Sequence, residues 1–322
     1  MRLTRPAGWV FCVLVGGAAQ AQELTLVTPI DCDLNGPCHI QQYVDHDAGA
    51  GASDFRCNAQ TYDGHKGTDF ALPTTAMIDD GIDVLAAAGG TVRGLRDGMP
   101  DSGLSTATEA EIAGRECGNG VVLTHPGGWE TQYCHLRAGS ITVTRGQRVA
   151  AGEVLGEVGM SGSAEFAHLH LSVRRDGAVV DPYDPDGVIT CGAPSTQTLW
   201  ADPPATRPGG IIAMGTAAGV PEFADIKRGV VPPAQPGSAA MVIWSYLFGT
   251  REGDVLYLSL TGPEGFKADR RILLDRTQAQ SFRAIGKRLR ADRWPAGDYV
   301  GVAELRRGGD VIERREITRT LP

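Results

Sequence analysis

Along the chain, apolar residues fall mostly at alternate positions, and glycine and proline punctuate the runs. That is the period of strands rather than the 3.6-residue repeat of helices. The clearest instance is Phe166-Ala167-His168-Leu169-His170-Leu171-Ser172-Val173. Read as a strand, it sends Leu169, Leu171 and Val173 into a core and gathers His168, His170 and Ser172 on the opposite face. Upstream, Leu24–Val27, two short runs within Ile82–Val92, and a strand–turn–strand over Val143–Gly156 follow the same alternation. So does a hairpin whose arms, Cys117–His125 and Trp129–Leu136, flank Pro126-Gly127-Gly128. On the return arm, strict alternation puts Thr131, Tyr133 and His135 on one face and Cys134 on the other. His125, at the strand end beside the turn, is expected at the surface.

The pattern divides the chain. Residues 1–21 read as a secretory signal: Arg2 and Arg5, an apolar stretch from Trp9 to Val15, then Ala19-Gln20-Ala21, with cleavage expected after Ala21. Residues 22–56 are a polar, disulfide-prone lead segment, in which Asp45-His46-Asp47 reads as a solvated loop. Residues 57–190 hold the histidine-bearing strands and a polar insertion at 96–116. Residues 191–209, with Pro194, Pro203, Pro204 and Pro208, read as a linker. Residues 210–322 read as a second β domain of unassigned role, a small β-sandwich with runs at Ala240–Leu247, Asp254–Leu260, Asp298–Leu305 and Val311–Thr318. The expected fold class is therefore mostly β.

Composition adds a compartment and removes some partners. With 42% hydrophobic and 21% charged residues, the 322-residue chain is globular. Its formal charge of −8 becomes −10 once residues 1–21 leave with two arginines and no acid, which argues against nucleic acid and anionic lipid as partners. No later run approaches the roughly 18 apolar residues of a membrane span. Cys32, Cys38, Cys57, Cys117, Cys134 and Cys191 remain after export, an even set expected to form disulfides rather than metal thiolates. Only Cys32–Cys38, closing a tight loop, is singled out by proximity.

The chemistry lies in the first two thirds. His65 and Asp69 are four apart; in a straight strand they would stand about 13 Å from each other, too far to share an ion. Gly64 and Gly67 disfavour a helix there, whereas a bend at Gly67 brings the two together. With His135, His168 and His170, this makes four imidazoles and a carboxylate on β elements. A catalytic zinc site takes three such ligands and keeps one position open for water, whose pKa it lowers to about 7. Further imidazoles then handle protons or steady an oxyanion.

Residues from about 57 to 185 resemble the M23 family of zinc metallopeptidases, the lysostaphin/LytM-type cell-wall endopeptidases. The motifs are His65…Asp69 (H-x3-D), Gly118-Asn119-Gly120-Val121, Thr131-Gln132-Tyr133-Cys134-His135-Leu136, and His168-Leu169-His170 (H-x-H), with glycine turns at Gly146, Gly152 and Gly159. The resemblance implies a LytM-type antiparallel β-sheet catalytic domain, with one zinc ion per chain held by His65, Asp69 and His170. It implies an unliganded catalytic pair, His135 and His168, and peptidoglycan peptides as substrate. The sequence departs from the family in the loop before H-x-H, where S-T-G-P is replaced by Ala164-Glu165-Phe166-Ala167, altering a wall of the groove. Two alternatives are a non-enzymatic activator of other wall hydrolases, and a secreted protease acting on Gly-rich proteins.

Overall fold

A computed structural model describes residues 23–105, 109–189, 191 and 196–322. The expected signal at 1–21 and part of the 191–209 stretch lie outside the described residues. The chain is mostly β: among the described residues the strands pair antiparallel, and the helices are short.

The first unit contains β1 (His39–Gln42), β2 (Thr68–Ala71), β3 (Asp83–Leu85), β4 (Gly90–Arg96), β5 (Asn119–Thr124), β6 (Trp129–Leu136), β7 (Arg148–Val149), β8 (Val154–Glu157), β9 (His168–Arg175) and β10 (Ala178–Val179). Its main sheet runs β1-β2-β9-β6-β5-β4-β7, with β10 on β9, and β3 pairs with β8 apart from it. The expected alternation of β9 holds: Leu169, Leu171 and Val173 are buried with Phe70, Leu123 and Tyr133 in one core. Each such apolar side chain contributes about 1.5–3 kcal/mol. Within the stretch read as a linker, Leu199 and Trp200 also enter this core, and Leu26 bridges Trp200.

The six cysteines among the described residues are joined, as Cys32–Cys38, Cys57–Cys191 and Cys117–Cys134. The local pair is the one expected from proximity. The Cys57–Cys191 bond ties the segment between β1 and β2 to the chain after β10.

The second unit is a sandwich of a three-stranded and a four-stranded sheet. It comprises β11 (Gly210–Ala217), β12 (Ala240–Thr250), β13 (Val255–Thr261), β14 (Lys267–Leu273), β15 (Gln278–Arg288), β16 (Gly297–Arg307) and β17 (Asp310–Leu321), in the orders β11-β12-β15 and β14-β13-β16-β17. Alternation along β12 explains its two faces. Met241, Ile243 and Leu247 pack on Leu258, Leu260 and Leu305 of the other sheet. Trp244, Tyr246 and Phe248 turn the other way, toward the short helix Phe223–Arg228 and the first unit.

The units meet edge to edge. β1 ends one sheet and β15 ends another. Gln41 Nε2 donates to the Ala279 carbonyl at 2.8 Å, and Gln280 Nε2 donates to Gln41 Oε1 at 3.2 Å. The His39 ring lies 4.2 Å from that of Phe248.

Three local expectations are corrected. His125 is buried, not at the surface: its Nδ1 donates to the Gly89 carbonyl at 2.8 Å and its Nε2 lies 2.9 Å from Thr131 Oγ1. His46 is not simply solvated, because its Nε2 lies 2.8 Å from the buried Asp181 carboxylate. The third correction concerns β6. Cross-strand partners point to the same face, and Tyr133 opposes Leu171 while Cys134 opposes His170. Thr131 and Tyr133 therefore face the core, and Cys134 faces the side of His170. His135 leaves the alternation because its φ is +65°, a left-handed conformation uncommon outside glycine.

Candidate metal and catalytic site

Register assembles the first part of the site. Asp69 of β2 is the direct partner of His170 of β9, so the two side chains stand together on one face. His65 arrives from the turn before β2. A bend at Gly67 closes the gap that a straight strand would leave, and there is no room for a larger residue: a Cβ on Gly67 would lie 2.5 Å from His170 Nε2 and 2.6 Å from the Leu171 carbonyl oxygen.

Three donor atoms converge. His65 Nε2 is 3.2 Å from Asp69 Oδ1 and 3.2 Å from His170 Nδ1, and the latter two atoms are 2.8 Å apart. Tetrahedral ligands on zinc bonds of about 2.0–2.1 Å stand roughly 3.3 Å from one another, so the set has the chemistry and the spacing of a zinc triad. His65 and Asp69 are buried and His170 is half-buried. The tautomers suit this too. His65 Nδ1 lies 2.6 Å from the Tyr43 carbonyl, which can only accept, so the proton sits there and Nε2 is left to the triad. His170 turns Nε2 to Ser172 Oγ at 3.0 Å and leaves Nδ1 to the cluster.

His135 and His168 stand beside the triad with ring centres 4.6 Å apart. Each has its Nδ1 on a carbonyl, Ser161 at 2.7 Å for His135 and Phe166 at 2.9 Å for His168, so in the neutral ring each Nε2 carries the lone pair. His168 Nε2 is 3.6 Å from Asp69 Oδ1. The left-handed backbone of His135 delivers its ring to this side of β6, with its own N–H donating to the Cys117 carbonyl at 2.8 Å.

Burial and charge divide these groups electrostatically. Burial, reinforced by His168 and His170, holds His135 well below the ordinary imidazole pKa. Burial also lowers His168, against the pull of Asp69. For His65 burial pulls the same way, but the Asp69 charge and hydrogen bond outweigh it and the pKa rises. Burial would raise Asp69, yet His65, His168 and the hydrogen bond from His170 hold it well below the carboxylate range. At neutral pH the site thus offers a carboxylate and two neutral imidazoles off the triad.

Four of the five residues singled out in the sequence, Asp69, His135, His168 and His170, line one cavity of about 610 Å³, and His65 joins them through its contacts with Asp69 and His170. Glu165 and Phe166, from the loop that departs from the family pattern, form part of its wall, with the Phe166 ring stacked 4.3 Å from that of His168. Leu104 of the polar insertion reaches the wall as well. Sequence reasoning passed over the carbonyls of Tyr43, Ser161 and Phe166, since backbone acceptors leave no mark in residue type. It also passed over Phe223, Gln278, Ala279 and Gln280 of the second unit, which line the same cavity.

Comparison with known proteins places this region. The model of peptidase family M23 matches residues 63–182. The cell division protein DipM of Caulobacter vibrioides is 33% identical over 128 residues, 38% of this chain and 19% of that protein. The DD-carboxypeptidase/endopeptidase Mpg of Neisseria meningitidis serogroup B is 33% identical over 130 residues, 40% of this chain and 26% of that protein. The chain thus spans about a fifth to a quarter of the length of these curated relatives. Among solved structures, a mutant catalytic domain of the prophage-encoded M23 protein EnpA from Enterococcus faecalis aligns at 22% identity, covering 49% of this chain and 94% of that one, with a TM-score of 0.32.

Proposed function

Because residues 63–182 form a domain of peptidase family M23, we propose that the chain is an exported zinc-dependent endopeptidase that hydrolyses peptide bonds in peptidoglycan stem peptides or cross-links. One observation carries the reading: His65, Asp69 and His170 present three converging donor atoms, and two further imidazoles border the same cavity. The name of the Neisseria relative, a carboxypeptidase and endopeptidase, supports the substrate class. Three disulfides support export.

Zinc held by His65, Asp69 and His170 would polarise the scissile carbonyl and lower the pKa of water to about 7. The chain supplies the rest. His135 and His168 are neutral, with Nδ1–H fixed on carbonyls, so either Nε2 takes a proton from the attacking water and returns it to the leaving amine. Until that proton is passed on, the imidazolium so formed stands beside the developing oxyanion and steadies its charge. Phe166 against His168 excludes bulk water from one side. An activator without activity would need none of this convergence.

The test is a muropeptide profile of sacculi incubated with the mature chain, with and without a zinc chelator. Loss of cross-linked dimers, blocked by the chelator, is the expected result. An unchanged profile with zinc bound would overturn the peptidoglycan substrate in favour of protein substrates, which Gly-rich peptides would then reveal.

A further inference from the structure

The overall negative charge of the chain conceals a division. Residues 22–209 carry 11 Lys and Arg against 25 Asp and Glu, whereas residues 210–322 carry 17 against 13. The formal charge is therefore −14 for the first stretch and +4 for the second. A polyanion is repelled by the one and drawn to the other.

The second unit gathers part of its positive charge in one place. A cavity of about 780 Å³ opens at the end of β15, lined by Lys287, Arg288, Arg290 and Arg293 together with Phe266 and Trp294. Among the described residues no carboxylate lines it; Asp292, in the same loop, is not part of the lining, and none of the four cations forms an ion pair. Four like charges facing one space repel each other, and an arriving anion relieves that repulsion. The cations stand on a fixed frame. Leu289 N–H donates to the Ala239 carbonyl at 2.9 Å, and Trp294 N–H donates to the Pro236 carbonyl at 2.8 Å. The Trp294 indole N–H donates to the Ser238 carbonyl at 2.8 Å. Lys287 Nζ lies 5.8 Å from the centre of the Phe266 ring, and Arg293 donates to the Pro322 carbonyl at 2.8 Å. Position matters as well. Gln278, the first residue of β15, lines the catalytic cavity, and Arg288, its last, lines this one. Along a strand that interval rises about 33 Å, so a ligand that reaches both cavities has the length of a polymer.

We infer that this cavity anchors the chain on intact peptidoglycan, where Arg288, Arg290 and the cations beside them bind free carboxylates of the stem peptides. The identity of the polymer rests on the peptidase reading; the affinity for a polyanion does not. Peptidoglycan is dense in carboxylates and long enough to occupy both cavities at once. The second grip makes delivery of a cross-link to the catalytic cavity intramolecular, and it offsets the repulsion from residues 22–209. A soluble cross-linked dimer extends only a few residues from its scissile bond and does not span the distance. The anchor therefore serves the polymer and not the fragment.

The test uses the full chain. Co-sedimentation of the metal-free chain with sacculi, and with phosphatidylglycerol vesicles, is measured at low and high salt. The zinc-loaded chain is assayed on sacculi and on a purified cross-linked muropeptide dimer. The double variant Arg288→Glu, Arg290→Glu changes two exposed side chains. It is expected to weaken sacculus binding about tenfold at low salt and slow sacculus digestion about fivefold, with dimer turnover within about twofold and the melting temperature unchanged. Arg288→Lys with Arg290→Lys, which keeps both charges, should stay within about threefold of the original chain. Sacculus binding within about twofold for the glutamate variant would overturn the inference while leaving the peptidase intact. Binding to vesicles tighter than to sacculi would overturn it in favour of a membrane surface. Sacculus binding that depends on Arg288 and Arg290, without cleavage of either substrate, would uphold the inference and overturn the peptidase. Neither binding nor cleavage by the unaltered chain would overturn both.

Discussion

Gly67 shows how much of the site hangs on one missing methyl group. It separates His65 from Asp69, and a Cβ there would stand 2.5 Å from His170 Nε2 and 2.6 Å from backbone. Gly67→Ala must therefore push His170 or bend β2 away. We expect at least a tenfold loss of zinc affinity, measured by competition with a chromophoric chelator, together with a lowered melting temperature, since the clash also meets the backbone of β9. The five site residues were legible in the sequence because ligand chemistry restricts residue type at fixed spacing. The approach of His135 was not. Alternation assigned it the face of Tyr133, whereas a φ of +65° turns it out toward His168, and nothing in residue type announces a left-handed histidine. Such local strain costs on the order of 1–3 kcal/mol, and here it sits at the atoms proposed to move protons.

At the scale of elements, the departure of β6 at His135 is held by the bond between Cys117 and Cys134 and by the His135 N–H on the Cys117 carbonyl. Replacing both cysteines by serine opens a loop with a separation of 17 residues, for which chain entropy alone predicts a loss of about 3 kcal/mol, read from the urea midpoint. Strand β9 was legible because Leu169, Leu171 and Val173 fill a core while its other face carries chemistry. Strands β14 and β15 were not. Lys267–Leu273 buries only Ala268, and Gln278–Arg288 buries only Ser281, so neither needs the apolar alternation by which strands are recognised. The missed β15 is the strand that reaches the cavity.

Across the whole molecule, the two units are joined by a contact that responds to acid. His39 is buried at the junction, and burial holds its pKa down to about 4 from 6.5, against the opposing hydrogen bond with Gln41. A depressed imidazole pKa means that unfolded chains bind the extra proton first. Stability from this group is full above pH 6.5 and is lost as pH falls toward about 4, by roughly 3 kcal/mol in all. Urea unfolding at pH 7.5 and 4.5 should show the fall, and His39→Gln should flatten that part of it. A pH-independent difference between the two proteins would refute this account of the junction.

The bond between Cys57 and Cys191 has a consequence of another kind. All five site residues lie on the stretch of chain that it closes. That stretch is a covalent ring, and the ring joined by Cys117 and Cys134 is nested within it. A ring cut once becomes a line with both ends still attached. Any single nick between Cys57 and Cys191 therefore releases no fragment, and the pieces bearing His65 and His170 stay tethered until a reductant arrives.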